Sequence, residues 1–157
     1  MDQQAEPGAP ERGISTLNSD ARCLKVIDRF RYECARIDHT GIDLIARDPA
    51  SSERLGISVK CRSRAEGTEG DHVNVRKADF AKVREACVAF DCTPYLAIVI
   101  DEAERIHGLL LSLKDFLRWC PGGEQVCAWP MSESRLAQYH VDPAIRHFEF
   151  RLHGGKW

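Results

Sequence analysis

The run TPYLAIVIDEA, which begins at Thr93, constrains the fold more than any other part of the sequence. From Tyr95 to Ile100 it contains six consecutive apolar residues. Proline suits the start of a strand, and a strand that is apolar on both faces must be covered on both sides. A membrane-spanning helix would need about 20 apolar residues. The sequence therefore predicts a buried strand in a sheet with structure packed on both faces.

Upstream of that strand, a polar insert separates two shorter apolar runs. The stretch GIDLIARDPASSERLGISVKCRSR, residues 41–64, joins GIDLIA to LGISVK through DPASSER, whose proline and serines suit a turn. Together with the weakly alternating YECARI before it, the stretch predicts an antiparallel meander. Asp43 and Lys60 interrupt the two apolar runs. Burying an aspartate is costly unless it is paired or binds a ligand, so these two residues form a candidate site.

The other segments predict helices and further strands around this sheet. Helical spacing of apolar residues predicts helices over 17–31 and in ADFAKVREACVAFD, residues 78–91. The buried stripe of the second helix is Phe80, Val83, Cys87 and Phe90. AEGTEGDH predicts a loop. The strands expected after the central one are IHGLLLSL, EQVCAW and RHFEFRL, and the short helices are LKDFLRWC and SESRLAQYH.

This order of elements predicts an α/β or α+β domain whose mixed central sheet is flanked by helices. Residues 1–13 are polar, contain two prolines and two glycines, and predict a flexible tail. We expect residues 14–157 to form a single domain, because the chain is too short for two substantial cores. No secretory signal or membrane span is visible in the sequence, and we expect a cytoplasmic protein without a membrane partner.

The basic residues predict at most a local phosphate-binding patch, because the formal net charge of the chain is −2. Lys60, Arg62 and Arg64 alternate along one predicted strand, so they would share a face. Arg76 and Lys77 follow shortly after. These residues are candidates for contact with nucleic acid. A solvated strand edge that discourages aggregation is the alternative interpretation.

Cysteine and histidine spacing predicts no zinc site. The seven cysteines contain no CxxC pair, and we interpret them as reduced thiols. The six histidines are scattered, with no HExxH motif and no convergent pair, and His147 in the last strand is expected to be structural. There is also no GxxxxGK[ST] or GxGxxG motif, so we expect no nucleotide cofactor.

A helix, a hairpin with G-I-D-L-I-A on one arm and I-S-V-K on the other, a second helix and an apolar strand resemble the core of the PD-(D/E)XK nuclease superfamily. The resemblance covers roughly residues 17–100 and is closest to the restriction-endonuclease-like and Holliday-junction-resolvase-like members. It implies a restriction-endonuclease-like core. It also implies an endonuclease that uses Mg²⁺ or Mn²⁺ to hydrolyse DNA phosphodiester bonds, and it implies a homodimer.

By this resemblance, Asp43 is the metal-binding aspartate and Lys60 is the active-site lysine. Ser58 stands two residues before that lysine, where relatives usually have Glu or Asp, and this change removes one negative charge from the site. Asp20, in the predicted first helix, is the candidate for a further metal ligand. The competing acids are Asp28, Glu33 and Asp38.

Three hypotheses stay open at this point. In the first, the protein is an active metal-dependent nuclease. In the second, it is a catalytically degenerate nuclease fold that serves as a nucleic-acid-binding or protein-interaction module, as Ser58 suggests. In the third, it is an α/β domain in which Asp43 and Lys60 form only a salt bridge between neighbouring strands.

Overall fold

The computed structural model describes residues 32–68, 70–102, 104–120 and 125–151. The tail predicted for 1–13 and the helix predicted for 17–31, with Asp20, lie outside these ranges. The described elements, in chain order, are β1 (Glu33–His39), β2 (Ile42–Arg47), β3 (Arg54–Ser63), β4 (His72–Arg76), α1 (Lys77–Phe90), β5 (Thr93–Glu102), β6 (Arg105–Ser112), α2 (Leu113–Trp119), β7 (Val126–Pro130), α3 (Glu133–Val141) and β8 (Arg146–Arg151).

Six of these strands form one mixed sheet, in the order β1-β2-β3-β5-β6-β8. The pairing of β3 with β5 is parallel, and the other four neighbouring pairs are antiparallel. A parallel pair requires a crossover connection, and α1 lies in the connection between β3 and β5. The predicted meander and the predicted mixed sheet flanked by helices are therefore confirmed.

The central strand β5 is covered on both faces, as its apolar run predicts. Leu96, Ile98 and Ile100 pack into a core that includes residues of all three described helices. Ala97 and Val99 pack on the opposite face, in a cluster with Phe148 and Phe150 of β8. We call the face that carries Ile98 the helix-covered face of the sheet. Both candidate sites described below lie on it.

The sequence did not predict the strand β4. β4 pairs with β7 in a separate two-stranded sheet, and this pairing sets Val73 opposite Trp129 and Val75 opposite Cys127. Phe90, which the helical stripe of α1 predicted to be buried, is instead 37% exposed. No helix in the described part of the chain is both long and apolar enough to cross a membrane.

Candidate functional site

The β2–β3 hairpin places Asp43, Ser58 and Lys60 on the same side of the sheet. Ile45 lies opposite Gly56 in the antiparallel ladder, and alternate residues of a strand share a face. A side chain at Gly56 would meet the Cys87 Sγ of α1 at 2.5 Å, so this side faces α1. The hairpin therefore brings together the three residues that the resemblance singled out, on the helix-covered face.

Asp43 is half-buried, and its carboxylate is oriented by the neighbouring strand. The backbone N–H of Val59 donates a hydrogen bond to the Asp43 Oδ2, at 2.7 Å. Asp43 also lines a cavity of about 380 Å³, together with residues 36–39 of β1. Asp38, one of the competing acids, is among them. The carboxylate is thus held in place on one side while it borders an open space on the other.

Lys60 forms its ion pair with α1. Its Nζ lies 3.9 Å from the Asp79 Oδ2, in the first turn of that helix. Asp79 also faces Arg76 at 3.3 Å and Lys82 at 3.6 Å, so one carboxylate is shared by three cations. Within the described residues no ion pair joins Asp43 to Lys60. The described part of the structure therefore contains no salt bridge between Asp43 and Lys60.

Gly41 explains how α1 approaches the site so closely. Its φ is +109°, a conformation that L side chains rarely adopt, and a Cβ there would lie 2.4 Å from the backbone oxygen of Lys82. Next to it, Ile42 packs against Val83 and Cys87. The glycine just ahead of the aspartate therefore permits the contact between the hairpin and the helix that carries Asp79.

Comparison with known proteins supports the fold assignment. No protein-family model matches the chain, and no curated protein matches it. The chain is similar to the solved structure of Hjc, a Holliday junction resolvase from the hyperthermophilic archaeon Archaeoglobus fulgidus. The TM-score is 0.56 at 13% identity, and the match covers 79% of this chain and 88% of that chain.

The chain has a restriction-endonuclease-like fold. At 13% identity, the similarity shows the fold alone.

The oxygen donors near Asp43 fit a Mg²⁺ or Mn²⁺ ion. Mg²⁺ in proteins is often held by one or two carboxylates plus substrate phosphates, and it keeps several of its waters. In this restriction-endonuclease-like fold, Asp43 and Asp38 border one cavity and are the acids placed to bind such an ion. Glu33 is not placed to bind the ion, because it pairs with Arg47 at the far end of the β1–β2 ladder. Asp20 lies outside the described residues.

Ser58 is 3% exposed and lies on the same face as Asp43. A neutral hydroxyl is a weaker metal ligand than a carboxylate, so Ser58 adds no negative charge to the described part of this site.

The two arginines of the predicted basic patch on β3 and just after it form ion pairs with different acidic side chains. Arg62 pairs with Asp71 at 2.8 Å and stays 44% exposed. Arg64 is only 12% exposed, and its guanidinium pairs with Glu102 at 2.5 Å and with Glu133 at 3.2 Å. A phosphate contact by Arg64 would require the loss of these pairs. Contact of these side chains with nucleic acid stays a prediction.

Two further candidates lie at the start of α1. Arg76 is the residue that precedes the helix, and its side chain is 71% exposed. Lys77 is the first helical residue and is exposed. Both are accessible to a phosphate backbone, and their contact with nucleic acid also stays a prediction.

The structure brings together three histidines that the sequence analysis treated as scattered. One ring nitrogen from each of His107, His140 and His147 lies within 4.8 Å of the other two. The expectation of no convergent histidines is therefore wrong. The pKa of His147 falls to about 4, first because of burial and then because of the nearby His140 and His107. Burial also lowers the pKa of His140. The rings of His147 and His140 are therefore neutral near pH 7.

Proposed function

We propose that the protein is an endonuclease that uses Mg²⁺ or Mn²⁺ to hydrolyse DNA phosphodiester bonds. The observation that carries the proposal is the placement of Asp43 and Lys60 on one face of the β2–β3 hairpin, where α1 packs against it. An anchored carboxylate can hold a divalent metal ion, and an ammonium group on the neighbouring strand can stabilise phosphate charge in metal-assisted phosphodiester hydrolysis. The likeness to a Holliday junction resolvase supports this choice of chemistry.

Asp43 and Asp38 would hold the metal ion, which supplies neutralising charge and a water of lowered pKa when it is bound. The Val59 N–H fixes the Asp43 carboxylate, so one oxygen is oriented before any ligand arrives. Lys60 shares its partner Asp79 with two other cations, and its contact of 3.9 Å is long. The ammonium group is therefore free to turn to a substrate phosphate or to the attacking water.

Ser58 predicts weak metal binding in this mechanism. With a hydroxyl in the place of a carboxylate, the site attracts a divalent cation less strongly. We therefore expect cleavage to require a high concentration of Mg²⁺ or Mn²⁺.

Branched DNA is the substrate to test first, because the structurally similar archaeal protein is a Holliday junction resolvase. A four-way junction has two-fold symmetry, and a pair of identical chains related by a two-fold axis matches it. We accordingly propose a homodimer, which light scattering tests directly. We also propose that the protein is cytoplasmic.

The decisive experiment incubates the protein with plasmid, linear duplex and four-way-junction DNA in Mn²⁺, beside Asp43→Asn and Lys60→Ala. Each variant should lose about 100-fold or more of the cleavage rate. Glu33→Gln and Lys114→Ala are the matched controls, because they remove an exposed acid and an exposed lysine away from the site. No cleavage by the wild type, or equal cleavage by both site variants, would overturn the proposal.

A second candidate function is a nuclease fold that binds DNA without cutting it, and Ser58 favours it. Binding without cleavage that weakens with rising salt would support this alternative. Arg62→Ala and Arg76→Ala should then weaken binding, because these two side chains are 44% and 71% exposed. If neither variant affects binding, these residues do not form the nucleic-acid surface.

A further inference from the structure

A second group of chemically active side chains lies on the helix-covered face, toward the opposite edge of the sheet. His107 belongs to β6, His147 to β8 and His140 to α3. Among the His, Cys, Asp and Glu side chains in the described part of the chain, these three are the set whose ligand atoms converge, within 4.8 Å. The cluster therefore deserves a chemical explanation separate from the nuclease proposal.

Strand register explains how the three histidines meet. β6 and β8 are antiparallel, with Leu109 opposite His147 and His107 opposite Glu149. His107 and His147 are therefore diagonal neighbours on one face of the sheet. His140 comes from the last turn of α3, and its ring stacks on that of His147 with 3.5 Å between the centroids. Three elements that are separate in sequence thus contribute one imidazole each.

Two ring nitrogens of the cluster are buried without a hydrogen-bond partner among the described residues. They are the Nδ1 of His107 and the Nε2 of His147. Buried polar atoms in proteins are almost always satisfied, and an unsatisfied one needs a specific explanation. A lone pair that points at a bound cation is such an explanation. Simple ring packing would leave both nitrogens unsatisfied.

Glu102 orients His107 for metal binding. The Oε2 of Glu102 lies 3.3 Å from the Nε2 of His107, and its Oε1 accepts a hydrogen bond from Arg64. The carboxylate therefore favours the tautomer that carries its proton on Nε2 and leaves the Nδ1 lone pair available. Histidines that bind metals commonly donate their other ring N–H to a carboxylate in this way.

We propose that His107, His140 and His147 bind a Zn²⁺ ion. Three imidazoles with a fourth position left for water form a ligand set that zinc accepts. Zinc–nitrogen bonds of 2.0–2.1 Å in a tetrahedron separate the ligand atoms by about 3.3 Å, so rotations of the side chains that move them by about 1.5 Å complete the site. His140 is exposed, so the ion has a route in from solvent.

This site is separate from the candidate nuclease site. Lys60, Ile98, Leu109 and His147 occupy one row across four neighbouring strands. Three strand spacings correspond to roughly 14 Å, and Ile98 and Leu109 between the ends are buried. Zinc would join α3 to β6 and β8, which indicates a stabilising role. The proposal does not depend on whether Asp43 and Lys60 cleave DNA.

The sequence predicts no zinc site partly because its histidines are scattered along the chain. Their convergence in the structure contradicts that reason.

Thiols can also bind zinc, so the exposed Cys61 is replaced by Ser in every protein used for the test. The full chain, without a polyhistidine tag and stripped with a chelator, is titrated with Zn²⁺ alone by calorimetry. Thermal unfolding is followed with and without Zn²⁺, and Co²⁺ absorption reports the coordination geometry.

We expect one Zn²⁺ per chain and a melting temperature that rises with Zn²⁺. His140→Ala should weaken binding at least tenfold and abolish the rise, while His72→Ala, an exposed histidine on β4, should change neither. Glu102→Gln should weaken binding by 10- to 100-fold. His140 is exposed, so its variant should fold normally, as circular dichroism without metal will check. No saturable binding by the wild type, or equal binding by His140→Ala, would overturn the proposal.

Discussion

The carboxylate of Asp43 accepts a hydrogen bond from the backbone N–H of Val59, with 2.7 Å between oxygen and nitrogen. The ladder between β2 and β3 ends at the pair Leu44–Ile57. Just beyond that point, a side chain supplies the acceptor for a backbone N–H that the ladder does not pair. Asp43 therefore has a structural role in addition to its proposed chemical one, and the two roles can be separated by mutation.

Asp43→Asn and Asp43→Ala should differ in stability but not in activity. Asparagine keeps an oxygen that can accept the bond from Val59, whereas alanine leaves that N–H without its partner. We expect Asp43→Ala to lower the free energy of unfolding by about 1–2 kcal/mol relative to Asp43→Asn, with both variants inactive. Urea unfolding measures the difference. Equal stabilities would mean that the bond contributes nothing to the fold.

Ser58→Glu should strengthen binding of divalent cations at the nuclease site. Ser58 is 3% exposed on the face that carries Asp43, so a carboxylate there adds a hard oxygen ligand where the described site has a hydroxyl. We expect the Mn²⁺ dissociation constant to fall at least tenfold and cleavage to need less Mn²⁺. Ser58→Gln has nearly the same shape without the charge, and it should show neither change. A gain shared by both variants would point to shape rather than charge.

Gly41→Ala should destabilise the protein and reduce cleavage. The φ of +109° strains an alanine, and its Cβ would lie 2.4 Å from the Lys82 oxygen, so α1 would have to move away from the hairpin. We expect a loss of about 2–3 kcal/mol in the free energy of unfolding.

Gly67→Ala is the matched control for this prediction, because Gly67 also has a positive φ, of +85°, but no atom of the described residues lies within 4 Å of its added Cβ. The Gly67→Ala change should lower the free energy of unfolding by only about 1–2 kcal/mol and leave the cleavage rate unchanged. If both alanine variants lose the same stability, the approach of α1 to Gly41 is not a close steric contact.

Local patterns in the sequence were enough to predict that Asp43, Ser58 and Lys60 share a face, but they did not predict the histidine cluster. Asp43, Ser58 and Lys60 belong to two consecutive strands, so alternation and one turn place them on a common face. The histidines come from β6, β8 and α3, and they meet only through the register of β6 with β8 and the packing of α3. Neither relationship is visible in the spacing of residues along the chain.

Two other differences between the predictions from sequence and the structure also have physical causes. The strand HVNVR of β4 has five residues with two buried apolar positions, a pattern too short to distinguish from the loop before it. Alternation predicted that Arg64 shares a face with Lys60. It could not show that Glu102 and Glu133, from β5 and α3, would enclose its guanidinium. In both cases the partner that determines the outcome is distant in sequence.

Asp142 should make the stability of the fold depend on pH. The backbone N–H of Ala144 donates to its Oδ1 at 2.8 Å and the Trp119 Nε1 donates to its Oδ2 at 2.7 Å. These bonds favour the charged form, and the bond from Ala144 contributes most to lowering the pKa of Asp142 below 3.8. A lowered folded-state pKa gives stability that is present above the unfolded-state pKa and is lost as the pH falls through the folded-state value.

Asp142→Asn removes the charge and keeps the shape of the side chain. The variant should therefore be less stable than the wild type by about 1–2 kcal/mol at pH 7, and the gap should stay constant down to about pH 5. Below that it should close, because the protonated wild type comes to resemble the amide. Urea unfolding from pH 7 to pH 3 measures the gap, and Glu85→Gln, an exposed change on α1, should stay within about 0.5 kcal/mol of the wild type throughout. A gap that persists undiminished at pH 3 would show that the charge on Asp142 does not stabilise the junction between α2 and α3.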